Sequence, residues 1–310
     1  MVRLKIIISE IQSDIQAIQV NKALYKESNF NIRTEALDFL DFHIIDRIEG
    51  LIQEQGLKDE LELLRILANK VKLELEKIDI NLFQQLREQI RIATNKEIIF
   101  REIIFKYFGF FIIDIGQSDK TGYDNLDIFI NELFSNQIIP EPTKEREEEM
   151  VFYQKTPVRI IFEMLAVAKI KQDDVFFDLG SGLSQVAILV NLISGVSATG
   201  IEYEPSYCKY AKESVSQLDL SNVNFINEDA RNSDYSEGTI FFLYTPFEGK
   251  ILQDVMNFLQ EVAQKRAIRV FTYGSCSMLI AKLSWLNCET GKANNEYRLY
   301  EFSSCIHKYI

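Results

Sequence analysis

Apolar residues follow two regimes along this chain. In the first 139 positions they recur every three or four residues: Leu37, Leu40, Ile44, Ile48 and Leu51 in one stretch, then Leu57, Leu61, Leu64, Ala68, Val71, Leu75 and Ile78 in the next. This spacing lines one face of long helices, and no proline interrupts it before Pro140. Breaks at Ser28-Asn29, Gln55-Gly56, Asp79 to Asn81, Thr94-Asn95, Gly109 and Lys120 to Gly122 divide the region into five or six helices, with Thr34 as a cap near one start. Three heptads without systematic charge pairing beside them read as the core of an intramolecular bundle; the other reading is a seam through which two chains associate. His43 reads as a partly buried helix residue, and the region shows no catalytic constellation.

After Pro140 the pattern changes. Residues 140–149, PEPTKEREEE, continue neither regime and read as a solvated linker or the exposed start of a lid helix. From 150 onward short apolar runs alternate with helical stretches. Strands are predicted at 175–179, 197–202, 223–229, 239–244 and 268–273, with a helix at 249–264 and a shorter one near 278–283. A terminal pair follows at 285–290 and 297–303. Alternating strand and helix requires a parallel sheet with right-handed crossovers, and the terminal pair adds antiparallel strands at one edge. The expected organisation is a helical domain at 1–139, a charged linker at 140–149 and an α/β domain at 150–310.

The most informative stretch is VFFDLGSGLSQ, Val175 to Gln185. Gly180 and Gly182 lack a Cβ, so the backbone there can take positive φ and let a ligand approach the helix N-terminus that follows. A plain strand-to-helix turn is the competing reading. Asp178 ends the first strand, Glu202 the second and Asp229, before Ala230, the third. Three acids at successive strand ends suit a ligand that carries an ammonium, a ribose and an adenine amine, which is the chemistry of S-adenosylmethionine. A nicotinamide dinucleotide is disfavoured, because Gln185 stands where its fingerprint places the last glycine and the loop has no Arg or Lys for a diphosphate.

On these residues, positions 150 to 304 resemble a class I S-adenosylmethionine-dependent methyltransferase. The loop DLGSGLSQ is similar to DLGSGxGQ of the non-SET histone lysine methyltransferases and to DLGSGDGR of small bacterial and mitochondrial protein lysine methyltransferases. The element Tyr153-Gln154-Lys155-Thr156-Pro157 resembles the Tyr/Thr-Pro segment that precedes the loop in those families. The resemblance implies a Rossmann-like seven-stranded sheet, and a cofactor set of Tyr153, Thr156, Asp178, Gly180, Ser181, Gly182, Gln185, Glu202, Tyr203, Asp229 and Ala230. Two positions depart from the pattern. Ser184 replaces the third glycine, and Tyr244-Thr245-Pro246-Phe247 stands where the histone enzymes carry Asn and the DNA amino-methyltransferases Asn/Asp-Pro-Pro-aromatic. Tyr244 through its hydroxyl, Pro246 through a nearby carbonyl and Phe247 as a wall or stacking surface are the candidate catalytic residues. With Tyr153, Tyr244 and Phe247 also offer an aromatic rim for a lysine ammonium; as packing, Tyr244 and Phe247 would only fill the sheet edge.

Composition narrows the partners. Net charge is −12, and 28 acidic against 19 basic residues lie within the first 149 positions. That balance disfavours nucleic acid, whose phosphates are bound through Lys and Arg. No apolar run approaches the 18 residues of a membrane span, and the first residues are interrupted by Ser9, Glu10, Gln12 and Asp14, unlike a secretory signal, so a cytoplasmic location is expected. Cys208, Cys276, Cys288 and Cys305 include no closely spaced pair, and with only His43 and His307 they do not make a metal site. The expectation is an enzyme that methylates a protein lysine amine, with the helical domain selecting the acceptor. A small-molecule methyltransferase and a non-catalytic cofactor-binding scaffold are the alternatives.

Overall fold

The computed structural model describes residues 2–55, 58–109, 122–135 and 137–305. The breaks expected at Gly56 and at Lys120-Thr121, as well as Leu57 and His307, lie outside them. The chain forms two compact units, residues 1–86 with 106–109 and residues 87–105 with 110–310.

In the first unit α1 (Val2–Val20) precedes α2 (Phe30–Asp38), which continues through wider π-helical turns at Phe39–Ile45 into α3 (Asp46–Gln55). The long α4 spans Lys58–Ile92. Its Leu61, Leu64, Ala68, Val71 and Leu75 pack on Ile11, Ile15, Leu40, Ile44 and Ile48, so the spacing seen in the sequence is the spacing of the core. Three details differ from expectation. The break at Asp79 does not occur, because Asp79 Oδ1 accepts hydrogen bonds from Nε and Nη2 of buried Arg33 at 2.8 and 2.5 Å, and the helix runs through. Thr34 is no cap; it lies inside α2 and its hydroxyl donates to the Phe30 carbonyl. His43 is exposed and stacks on Phe39, with ring centroids 5.1 Å apart.

In the second unit the helices α5 (Lys96–Phe108, whose last residues group with the first unit), α6 (Asn125–Phe134) and α7 (Val158–Ala168) precede β1 (Val175–Leu179). Then follow α8 (Gln185–Ser194), β2 (Ser197–Glu202), α9 (Pro205–Leu218), β3 (Val223–Asn227), β4 (Ile240–Tyr244), α10 (Gly249–Ala263), β5 (Arg269–Tyr273), α11 (Cys276–Ile280), β6 (Leu286–Cys288) and β7 (Tyr300–Ser304). The seven strands form one sheet in the order β3-β2-β1-β4-β5-β7-β6. The first five are parallel and β7 is antiparallel to both its neighbours. Strands covered on both faces read as continuous apolar runs, and β1 and β4 bury Phe176, Leu179, Phe241 and Phe242. The carboxyl ends of β1 to β5 open on one edge, where a doubly wound sheet binds its ligand.

The units divide elsewhere than at the 139/140 boundary read from the sequence, because the later helices are tied to the sheet. Arg87 Nη1 donates to the Glu132 carbonyl at 2.5 Å, Arg101 Nη2 to the Ile193 carbonyl at 2.6 Å, and the Val158 amide to Asp127 Oδ1 at 2.8 Å. Residues 140–149 form no helix, and 141–148 are exposed as the sequence suggests, but the segment is not a free tether. They lie along the carboxyl edge of the sheet and help to wall the site.

Candidate functional site

The turn after β1 is shaped by what presses on it. Gly180 (φ 75°) and Gly182 (φ 53°) both take left-handed backbone. A Cβ on Gly180 would overlap the Pro246 ring and one on Gly182 would overlap the Tyr153 ring, so both glycines admit protein neighbours as well as a ligand. Ser184 also adopts positive φ, 93°, the conformation that the missing glycine would take without strain.

The turn floors a cavity of about 410 Å³, a size suited to a nucleoside ligand. Tyr153, Thr156, Asp178, Gly180, Ser181, Gln185, Glu202, Tyr203, Asp229, Ala230, Tyr244, Pro246 and Phe247 all contact it. Of the residues singled out from the sequence, Gly182 alone stays behind the wall, where its amide donates to Glu202 Oε2 at 2.7 Å.

The three acids differ in state. Asp178 is completely buried, and burial followed by the Glu202 charge raises its pKa well above the usual carboxylate range. Its Oδ2 has no hydrogen-bond partner, and the same holds for Ser181 Oγ and both amide atoms of Gln185. These orphaned polar atoms on one wall fit a ligand that brings an ammonium and hydrogen-bonding groups, as S-adenosylmethionine does. Glu202 is held by amides, with Glu204 N–H donating to Oε1 at 2.8 Å, yet burial still raises its pKa. Asp229 is different. Arg231 donates to its Oδ1 through the amide (2.8 Å) and Nε (3.0 Å), and to its Oδ2 through Nη2 (2.6 Å), which lowers its pKa. The adenine contact expected of Asp229 therefore has to share a carboxylate already paired.

The candidate catalytic residues separate in the same way. Phe247 is buried in the sheet core and bridges to Met150. The Pro246 carbonyl accepts from the Val151 amide at 3.1 Å, which leaves it one lone pair. Tyr244 is half-buried at the end of β4, and burial first, then the nearby phenols and Glu296, raise its pKa. It stays a neutral phenol and is no base. Tyr153 lies over Gly182 and lines the same cavity as Tyr244 and Phe247, and burial raises its pKa. Between Tyr244 and Pro246, Thr245 takes φ 37°, a strained value for a β-branched residue, held by its Oγ1 donating to the Tyr273 carbonyl (3.3 Å) and accepting from the Cys276 amide (3.2 Å).

The sequence reading missed the strap. Pro142, Lys144 and Arg146 contact the cavity directly. Glu204 fastens one end, accepting from Thr143 Oγ1 (2.7 Å), the Lys144 amide (2.8 Å) and the Ser206 amide (2.9 Å). Burial would raise its pKa, but these donors hold it down at about 2. At the other end Glu149 Oε2 accepts from the Ile251 amide at 2.9 Å, and between them Arg231 bonds Glu147. Lys144 Nζ sits 3.4 Å from the centre of the Tyr203 ring, and the Arg146 guanidinium 3.4 Å from that of Phe152. The signal was local: Glu204 precedes Pro205, the pattern of a helix cap, and a cap with two oxygens can take more than its own helix.

Residues 144–273 match the family model described as Histone methylation protein DOT1. No curated protein matches the chain. Among solved structures, an RNA methyltransferase from Salinibacter ruber in complex with S-adenosylhomocysteine is 22% identical, with a TM-score of 0.39, covering 51% of this chain and 96% of its own. The human methyltransferase 10 domain containing protein is 14% identical over 49% of this chain and 84% of its own, with a TM-score of 0.37. A mutant of MtNAS in complex with S-adenosylmethionine is 11% identical over 97% and 98%, with a TM-score of 0.36. A seven-stranded sheet with β7 reversed, a glycine turn after β1, unpartnered polar atoms on cavity-lining residues and the match over 144–273 agree: this region is a class I S-adenosylmethionine-dependent methyltransferase domain that matches the DOT1 family model.

Proposed function

We propose that this methyltransferase N-methylates a lysine side chain of a protein and acts in the cytoplasm. The observation that carries the reading is the match of 144–273 to a family of histone methylation proteins, because that span holds every cavity-lining residue except Pro142. S-adenosylmethionine, when bound, supplies an electrophilic sulfonium methyl. The protein's part is to hold the cofactor by Asp178, Ser181, Gln185 and Glu202, to keep water out with the strap, and to orient the amine by the Tyr244 hydroxyl. The net charge of −12 supports a basic protein partner over nucleic acid. All cavity-lining side chains come from residues 142–251, which leaves the helical first unit for recognising the acceptor or a second copy. The four cysteines are unpaired, and no described helix is long and apolar enough to cross a membrane, both in keeping with that location.

Labelled methyl transfer from S-adenosylmethionine into histones and into cell-extract protein tests the reading. Protease-sensitive label that hydrolyses to methyllysine supports it, and label lost only to nuclease refutes it. One observation favours the non-catalytic alternative: Tyr244-Thr245-Pro246-Phe247 follows β4 with no Asn among them. Cofactor binding with no turnover on any acceptor would establish that reading instead.

A further inference from the structure

Where the cofactor cavity ends, at Tyr244, a second group of tyrosines begins. Strand pairing sets Tyr244 opposite Tyr273, with ring centroids 4.9 Å apart. The Gly274 amide donates to the Glu296 carbonyl at 3.0 Å, which fastens the turn bearing Glu296 and Tyr297 beside Tyr273. Opposite, the Tyr123 hydroxyl donates to the Lys155 carbonyl at 2.6 Å, next to the cavity-lining Gln154. The electrostatic neighbours of the Tyr244 phenol are Tyr123, Tyr273, Tyr297 and Glu296. Tyr123 and Tyr297 are 51% and 60% exposed whereas Tyr273 is buried, so the aromatic surface runs from solvent to the cavity wall.

We propose that Tyr123, Tyr273 and Tyr297, with Glu296, form the mouth through which an alkylammonium acceptor reaches Tyr244, and that they select it over uncharged acceptors. Phenol faces attract alkylammonium groups, and the Glu296 carboxylate adds attraction. Glu163 and Arg159, on the first turns of α7, flank Tyr273 and offset one another in charge. Arg159 positions the mouth: its Nε donates to the Gly122 carbonyl (3.5 Å), joining the Tyr273 side to the segment that carries Tyr123. Its guanidinium also borders the Tyr273 phenol, so one side chain braces both sides of the mouth. The inference rests on the amine reading, but part of its test does not.

Tetramethylammonium and its uncharged analogue neopentyl alcohol are titrated into the full chain loaded with S-adenosylhomocysteine and followed by ligand-observed NMR. The cation binds in preference. Tyr123→Ala, Tyr297→Ala and Glu296→Gln each weaken it about three- to tenfold while S-adenosylhomocysteine affinity stays unchanged. In turnover the same variants raise KM for the acceptor more than they lower kcat. A lysine peptide outperforming butylamine identifies the lysine as the source of the ammonium, and equal use of butylamine identifies a free amine. Equal binding of cation and alcohol, or variants that keep parental cation affinity, overturns the mouth. Failure of the parent to methylate any amine while ammonium still binds at these tyrosines defeats the amine reading alone.

Discussion

Replacing Gly180 by alanine tests how the cofactor turn is built. Alanine at φ 75° costs about 1–2 kcal/mol in left-handed backbone strain. Its Cβ would also overlap the Pro246 ring, which has no rotamer by which to withdraw. The ring is held from both sides, by the strained Thr245 before it and by the Val151 amide on its carbonyl, so the overlap adds about 1–3 kcal/mol of overpacking. The sum, about 2–5 kcal/mol, is at most the lower end of the roughly 5–15 kcal/mol that holds a typical domain folded. The chain therefore stays folded with a lowered melting temperature. Relief of the overlap pushes Pro246 into the cavity that it lines, and S-adenosylhomocysteine binding, by titration calorimetry, weakens at least about tenfold, the equivalent of 1.4 kcal/mol. Gly291→Ala is the control, since Gly291 has φ 92° with nothing within 4 Å of a built Cβ. It carries the backbone cost without the contact. If Gly180→Ala binds like the parent, or lowers the melting temperature no more than Gly291→Ala, the account of the turn is wrong.

Three further outcomes follow from the same geometry. The raised pKa of Asp178 means that its contribution to stability is complete below the unfolded value of about 3.9 and is lost as pH rises through the folded value. A cationic ligand favours the ionised form, so cofactor binding releases a proton and tightens as pH rises through that window. Calorimetry in two buffers of different ionisation enthalpy reads this directly, and proton uptake would contradict it. Ser184→Gly relieves the strain at φ 93° and stabilises the protein by about 1 kcal/mol in a denaturant titration; an unchanged or lower midpoint rejects the strain. Glu204→Gln leaves one carbonyl oxygen for three donors, so the strap loosens and S-adenosylhomocysteine leaves several times faster in stopped flow, with an unaltered off-rate counting against the strap as a barrier.

Local patterns were the legible part of this chain. The strand and helix order from 175 to 304 was readable because each element carries its own periodicity and β1 ends in a glycine turn that few other contexts require. The three acids could be placed near successive strand ends for the same reason, although β3 stops at Asn227 and leaves Asp229 two residues beyond it. What was not legible depended on partners distant in sequence. Asp79 looks like a helix break until Arg33, 46 positions away, is found beside it. Residues 140–149 look like linker until Glu204, about 60 positions on, is seen to bind them. Asp229 looked free for adenine because nothing in VNFINED announces that Arg231 turns back onto it. Tyr273 drew no notice, since only the β4–β5 register sets it against Tyr244.

The strap also bears on how this molecule can be cut. Both the composition change near residue 150 and the start of the family match at 144 invite a shortened version that begins there. Such a version would lose Pro142 from the cavity wall, Thr143 from the Glu204 clamp and Asp127 from the start of α7. It would keep the whole sheet and the glycine turn, and by secondary structure it would pass as intact. Its cofactor site would nevertheless lie open along one side, so a weak or absent activity measured on it would describe the cut and not the enzyme.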